Sequence, residues 1–395
     1  MNKINIIQFL PYFPPHKWWL ETVAEELSSF YVSLGYGEVI NIVFSVWQED
    51  WIKEYEKNWY KVYILPAFDI IPNFPVPKFW KREFWRVLKI INPSLNNPPV
   101  LSDIPLNKGE LKGDSKYIIQ THTRFFLSSF LGWLFAKRHK LKWVHIEHGS
   151  DYVKLWSKFK SKISYIYDRL IWKWIFKKAD KIVAISEACK SFIQKEFVNR
   201  EVEVIYNWIN FIPNTKINNN WIIKIWFVWR LVKLKWVDLL LESFWKLSEK
   251  YNNIELNILW DWDEKIILEK YIKDNKLQNI KFLWFQNRDF IASTFLPTID
   301  ILVNPSYGEW LPTTVLEWLL SKCVLVATDV WWTREISCLE DLILVKSWNI
   351  ESIANWLEKA ILNYEDLSWK SSDLVREKFD WNENIEKYFS LYNSL

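Results

Sequence analysis

Ile301-Leu-Val-Asn304-Pro-Ser-Tyr-Gly-Glu309-Trp-Leu-Pro312-Thr-Thr-Val-Leu-Glu317 is the stretch from which the rest of this 395-residue chain is best read. A short apolar run ends at Asn304, and Pro312 suits the first turn of a helix, so the spacing predicts strand, loop and helix in succession. Glu309 then falls on the loop, and Glu317 lies about a turn and a half inside the helix. Such a helix start aims unpaired backbone N–H groups and its positive end at an anion, while the two carboxylates accept hydrogen bonds from sugar hydroxyls on either side. Paired Glu residues also occur on solvated helix faces; the surrounding Pro-Ser-x-Gly-Glu and Leu-Pro-Thr-Thr make this segment distinctive.

The same alternation extends in both directions. Strand-like runs occupy Ile4 to Phe9, Val39 to Phe44, Lys61 to Leu65, Tyr117 to Gln120, Trp143 to Glu147, Lys181 to Ile185 and Val202 to Tyr206. A second series covers Lys224 to Val228, Glu255 to Leu259, Ile280 to Leu283, Ile301 to Asn304, Val324 to Thr328 and Leu342 to Val345. Strands alternating with helices predict parallel sheets with crossover connections, hence two consecutive doubly wound α/β domains. The expected division is 1–207, 208–375 and a closing helical segment 376–395 that reaches back toward the first domain, with Asn207 to Trp221 as linker. Asn92 to Asp114, rich in Pro and Gly, reads as an inserted mobile loop without catalytic importance.

Composition excludes global disorder, since 50% of residues are hydrophobic and 25% charged. Two counts are abnormal: 7 Gly and 29 Trp. Ordinary usage would give roughly 28 Gly. The tryptophans follow strands: Trp18 and Trp19 after the first, Trp229 at Val228, Trp260 and Trp262 after Leu259, Trp331 and Trp332 after Thr328. Glycine belongs at such turns, where it supplies positive φ and close backbone approach. We therefore expect most written Trp positions to be glycine in the cell, as when UGA means Gly, with Trp381 the best candidate for a genuine tryptophan. A net charge of +4 from 51 basic and 47 acidic residues is too balanced for a general nucleic-acid coat. Cys189, Cys323 and Cys338 show no metal or disulfide spacing, which suits a reducing compartment. The N-terminal run is too short for a membrane span, and no signal-peptide pattern follows it.

Trp229-Arg230-Leu-Val-Lys-Leu-Lys235-Trp236 directly follows a strand. With glycine at both ends it becomes Gly-Arg-x5-Gly, on which Arg230 and Lys235 converge toward a diphosphate. Arg124 follows the strand Tyr117 to Gln120 and is a plausible partner for phosphate or acceptor. His148, in Glu-His-Gly-Ser-Asp151, opens toward a cleft at the carboxyl end of a parallel strand, for acceptor binding or for loop packing. Lys154 to Lys181 carries nine basic and two acidic residues among aromatics. It suits either an anionic membrane surface or a solvated helix, and Lys78 to Lys89 would add to the same surface. No nucleic-acid motif accompanies the charge.

With Trp read as Gly, His16 to Glu21, Phe227 to Asp238, Leu259 to Asp263, and Glu309 to Glu317 running on to Glu335 resemble the group 1, family-4-type retaining glycosyltransferases. The resemblance implies the GT-B fold, two Rossmann-like domains facing across a cleft, and transfer from a nucleotide-diphosphate sugar to a glycan or lipid-linked acceptor. Donor would bind mainly the second domain and acceptor the first. Carried over by residue, it implies that Arg230 and Lys235 bind the diphosphate, that Glu317 holds the ribose and that Glu309 contacts the transferred sugar. The backbone around Leu311, Pro312 and Thr313 would cradle phosphate, and Trp18, Trp19 and Trp229 would occupy glycine positions against the donor. His122 lies where the family often places a donor-facing histidine; a strand-end His is equally often structural. No metal and no cofactor are implied, and Asp261-x-Asp263 falls within a Gly-Asp-Gly turn. The expected location is cytoplasmic, with peripheral contact on the inner face of the cell membrane. The alternative is a non-catalytic nucleotide-sugar-binding or scaffold protein, which follows if indoles truly fill the phosphate site. A dinucleotide oxidoreductase is disfavoured, because the first strand leads into Leu10-Pro-Tyr-Phe-Pro-Pro rather than Gly-x-Gly-x-x-Gly.

Overall fold

The computed structural model describes residues 4–13, 19–45, 53–71, 74–78, 116–153, 158–207, 222–228, 237–259, 265–283, 290, 294–304, 313–328, 335–336, 343–345 and 349–395. The expected insertion at 92–114 and most of the 207–221 linker lie outside them. The chain divides into two compact units, residues 1–205 with 388–395, and residues 206–387.

The first unit contains β1 (Ile4–Leu10), α1 (Trp19–Ser33), β2 (Val39–Ser45), β3 (Lys53–Lys57), β4 (Tyr60–Ile71), β5 (Phe74–Pro77), β6 (Lys116–His122), α2 (Leu127–His139) and β7 (Lys142–Glu147). These are followed by α3 (Lys158–Tyr167), a π-helical turn at 168–172, α4 (Lys173–Phe176), β8 (Lys181–Ala184), α5 (Glu187–Glu196) and β9 (Glu203–Val204). The sheet order is β3-β4-β2-β1-β6-β7-β8-β9, with β5 on β4. All pairs from β4 to β9 along this path are parallel. Helices cover both faces of such a sheet, so its strands read as nearly continuous apolar runs. Ile7, Phe9, Ile40, Ile42 and Ile119 point into one core with Trp143, Trp172 and Phe176. Gly132 lets α2 lie directly on β6, because a Cβ there would stand 2.3 Å from Thr121 Cγ2.

Three features depart from the sequence reading. β3 and β5 are antiparallel additions flanking β4, and β9 shrinks to two residues. The β3–β4 hairpin turns on Asn58 (φ 49°) and Trp59 (φ 69°), both left-handed. That is the two-residue turn for which Asn-Gly is the usual signal; with Trp59 at the second place, that signal is absent.

The second unit contains β10 (Ile223–Phe227), α6 (Val237–Ser248), β11 (Ile254–Leu259), α7 (Lys265–Asp274), β12 (Ile280–Leu283), β13 (Ile301–Asn304), α8 (Thr313–Leu320), β14 (Val324–Thr328) and β15 (Ile343–Val345). It closes with α9 (Ile350–Leu362), α10 (Tyr364–Lys378) and the start of α11 (Trp381–Asn393), whose last residues count with the first unit. Its parallel sheet runs β12-β11-β10-β13-β14-β15 around an apolar core that includes Ile225, Phe227, Leu256, Ile258, Val303 and Val326.

Candidate active site

Both sheets reverse direction of strand order beside their first strand: between β1 and β6 in one unit, between β10 and β13 in the other. In open α/β sheets, ligands bind outside the carboxyl ends of the strands at this switch point. β10 and β13 are paired neighbours, Ile225 opposite Ile301 and Trp226 opposite Leu302. The Arg230–Lys235 loop and the Glu309 segment therefore leave adjacent strands at one end of one sheet. Trp18, Trp229, Arg230, Lys235, Glu309, Leu311 and Pro312 themselves lie outside the described residues, and Trp19 and Thr313 are described only in backbone as the first residues of α1 and α8. Glu317 is buried within α8, between Leu316 and Trp318.

In the first unit, His122 ends β6 beside the switch point. Its ring stacks on that of His148, with centroids 5.4 Å apart, and its Nδ1 lies 3.2 Å from His148 Nε2. Neither ring opens to solvent: His122 is 0% and His148 2% exposed. Burial lowers both imidazoles, His122 well below its ordinary value with His148 and His145 adding, and His148 to about 3 despite Glu147. Both are neutral at pH 7, so they offer an N–H or a lone pair rather than a cation.

Below His122 lies a row of buried amides. Register sets Asn41 opposite Gln8 and Gln8 opposite Gln120. Gln8 Nε2 donates to Asn41 Oδ1 at 2.9 Å and to Ser28 Oγ at 2.8 Å, and Gln120 Nε2 donates to Gln8 Oε1 at 2.5 Å. Gln120 Oε1 accepts from the Tyr31 hydroxyl at 2.9 Å and from the Tyr392 hydroxyl of α11.

Arg124, expected as a partner for phosphate or acceptor, is held among partners of its own unit. It is 1% exposed. Its guanidinium pairs with Glu147 at 3.2 Å and Asp168 at 3.1 Å and donates to the Asp151 carbonyl at 2.7 Å. Its flat face lies against Phe192 and Phe197, 4.8 and 5.3 Å from their ring centroids. Glu147 in turn accepts from the backbone N–H groups of Arg124 (3.0 Å), His148 (3.0 Å) and Gly149 (2.8 Å). Burial alone would raise this carboxyl, but Arg124, His145 and the Gly149 N–H hold it well below the usual range. The Arg124–Glu147 pair thus ties the loop after β6 to the loop after β7. It shapes the ground on which His122 and His148 stand.

Sequence reading missed the amide row, Glu147, Asp168, Tyr31 and Tyr392. The available signal was a lone amide in each of three apolar strands: Gln8, Asn41 and Gln120.

The description of Glycosyltransferase Family 4 matches residues 93–211, and that of Glycosyl transferases group 1 matches residues 213–372. An uncharacterized glycosyltransferase of Methanocaldococcus jannaschii is 32% identical over 418 aligned positions, covering 100% of both chains. Among solved structures, sucrose-phosphate synthase from Thermosynechococcus elongatus superposes with a TM-score of 0.74 at 14% identity, over 100% of this chain and 99% of that one. Anabaena HepE in complex with UDP-glucose gives 0.65 at 13% identity, over 99% and 100%. At these identities the two structures are similar in fold alone.

Proposed function

The chain belongs to the group 1 glycosyltransferases, with two Rossmann-like domains of the GT-B type, and from that premise we propose a retaining hexosyl transfer to a glycan or lipid-linked acceptor in cell-surface polysaccharide or glycolipid synthesis. One observation carries the donor site: the pairing of β10 with β13, from whose ends the Arg230–Lys235 loop and the Glu309–Glu317 segment depart. Arg230 and Lys235 bind the diphosphate and stabilise it as it leaves an oxocarbenium-like transition state, aided by the start of α8. Backbone at Leu311 to Thr313 cradles phosphate, Glu309 contacts the sugar, Glu317 holds the ribose and His122 faces the donor. The donor domain is 208–375 and the acceptor domain 1–207. No divalent metal and no resident cofactor enter this scheme, because the two basic side chains supply the positive charge.

The scheme includes glycine at Trp18, Trp19, Trp229 and Trp236. The β3–β4 turn supports this: Trp59 holds φ 69° with its side chain 83% exposed, a place where an indole strains the backbone and packs on nothing. Trp226, buried in β10, leaves its indole N–H without a hydrogen-bond partner among the described residues, whereas Trp143 donates to Thr121 Oγ1 at 2.9 Å.

The scheme also places the protein in the cytoplasm, with the segment 154–181 on an anionic membrane surface. Phe159 (72% exposed), Ile163, Ile166, Leu170 (70% exposed) and Trp174 follow at helical spacing and face solvent, flanked by exposed Lys160, Lys162, Lys173, Lys177 and Lys178. An exposed apolar line with a basic border favours lipid headgroups over bulk water. Among the described residues no helix is long and apolar enough to cross a membrane.

The test is incubation of a glycine-restored protein with a panel of nucleotide sugars, following nucleoside diphosphate release and the anomeric configuration of the product by NMR. Retained configuration is expected; inversion overturns the mechanism, and nicotinamide-dependent turnover overturns the class.

A further inference from the structure

We infer that Gln120, held by Tyr31 and by Tyr392 near the end of the chain, is a positioning residue that fixes the tautomer of His122. The Tyr392 hydroxyl donates to Gln120 Oε1, and the Tyr31 hydroxyl lies 2.9 Å from the same oxygen and 3.1 Å from the Tyr392 hydroxyl. A hydroxyl accepts as well as donates, so Gln8 sets the sense of this amide: Ser28 Oγ donates to the Ala24 carbonyl and accepts from the Gln8 NH2, which leaves Gln8 Oε1 to accept from the Gln120 NH2 and turns the Gln120 oxygen toward the tyrosines. One hydrogen of the Gln120 NH2 goes to Gln8 Oε1 at 2.5 Å, and the other points at His122 Nε2 at 2.7 Å. Gln8 is held in the same sense, because its own NH2 donates to Ser28 and Asn41.

A ring N–H at His122 Nε2 would meet the amide hydrogen of Gln120 head-on at that distance. Nε2 is therefore the acceptor, although it also lies 3.1 Å from Gln8 Oε1. The ring proton resides on Nδ1 and donates to His148 Nε2 at 3.2 Å, which leaves the proton of neutral His148 on its own Nδ1. The strands set this line of groups by register and the closing helix locks it: Tyr392 packs edge-on against Tyr31, with centroids 5.6 Å apart. The last turn of α11 thus helps decide which nitrogen of His122 holds the proton.

The catalytic consequence rests on the reading of His122 as donor-facing; the tautomer assignment does not. The experiment uses the full-length, glycine-restored chain labelled with 15N-histidine, comparing wild type with Gln120→Met and the milder Tyr392→Phe. In wild type, His122 is expected to show a single neutral tautomer protonated at Nδ1 from pH 8 down to pH 6. Gln120→Met removes the donor, so a shift to Nε2–H or to a mixture is expected, with a smaller shift in the same sense for Tyr392→Phe. Wild-type resonances showing the proton on Nε2, or a tautomer unmoved in both folded variants, would overturn the inference. Nucleoside diphosphate release from the sugar donor, followed in parallel, separates the two questions. A roughly tenfold fall in kcat at little-changed KM, accompanying the tautomer shift, supports both. A tautomer shift with unchanged turnover supports the positioning device and removes His122 from the reaction.

Discussion

The two units use one strand order and furnish it differently. Beside the switch point of the first sheet, polar groups are built into the strands and their ends and are buried: the amide row, the histidine pair and the Arg124–Glu147–Asp168 knot. The second sheet packs Ile225, Phe227, Ile258 and Val303 around the same position, and its charged candidates sit in the segments after β10 and β13. A site carried by the strands does not depend on whether tryptophan or glycine stands after them, while a site carried by the segments that follow the strands does.

The largest effect expected from breaking this contrast is at Arg124. Arg124→Met leaves two buried carboxylates without their cation, so a loss of about 3–5 kcal/mol is expected for the first unit. Denaturant titration followed by peptide-resolved hydrogen exchange should show the loss confined to residues 1–205 and 388–395; a uniform loss would contradict it.

Acid should separate the units next. All five histidines lie at or before residue 148. Their folded values are lowered where resolved, His148 to about 3 and His139 to about 4, both by burial first. As pH falls below the ordinary value near 6.5, the unfolded chain takes up protons that the folded unit refuses. The stabilisation is therefore complete above that value and lost as pH falls toward the folded ones. His148 alone accounts for on the order of 2 kcal/mol by pH 5. Hydrogen exchange at pH 7 and pH 5, corrected for intrinsic rates, should show the first unit loosening ahead of the second.

In the second unit, Lys235→Ala and Glu309→Gln, each in glycine-restored protein, should lower transfer at least tenfold, about 1.4 kcal/mol of barrier, with unchanged melting temperature. Full turnover in both would remove the donor site from the β10–β13 switch point. The smallest effect is at the hairpin: Trp59→Gly should stabilise the first unit by about 1 kcal/mol by relieving left-handed strain, read as a rise in denaturant midpoint.

The strand ladder was legible because β-branched runs punctuate the chain, and the candidate donor motifs stood out because Pro312, the paired Glu residues and Arg230–Lys235 keep short sequence distances from strands. Their adjacency was not legible until strand order paired β10 with β13. The β3–β4 hairpin escaped because Asn58-Trp59 does not give the usual Asn-Gly turn signal. The amide row escaped for another reason: a single Gln in an apolar strand has no partner in its own window. Gln120 finds one 272 residues away at Tyr392. The partners of Arg124 escaped for the same reason, since its two carboxylates come from β7 and from the turn after α3.

The measurement closest to the central claim is the mass of native peptides spanning Trp18–Trp19, Trp59, Trp229 and Trp236, with Trp143 as internal control. The account predicts glycine at the turn positions and tryptophan at Trp143, whose indole N–H is paired with Thr121. Tryptophan at Trp229 and Trp236 would contradict it, and would make the chain a non-catalytic nucleotide-sugar-binding protein with a filled phosphate site.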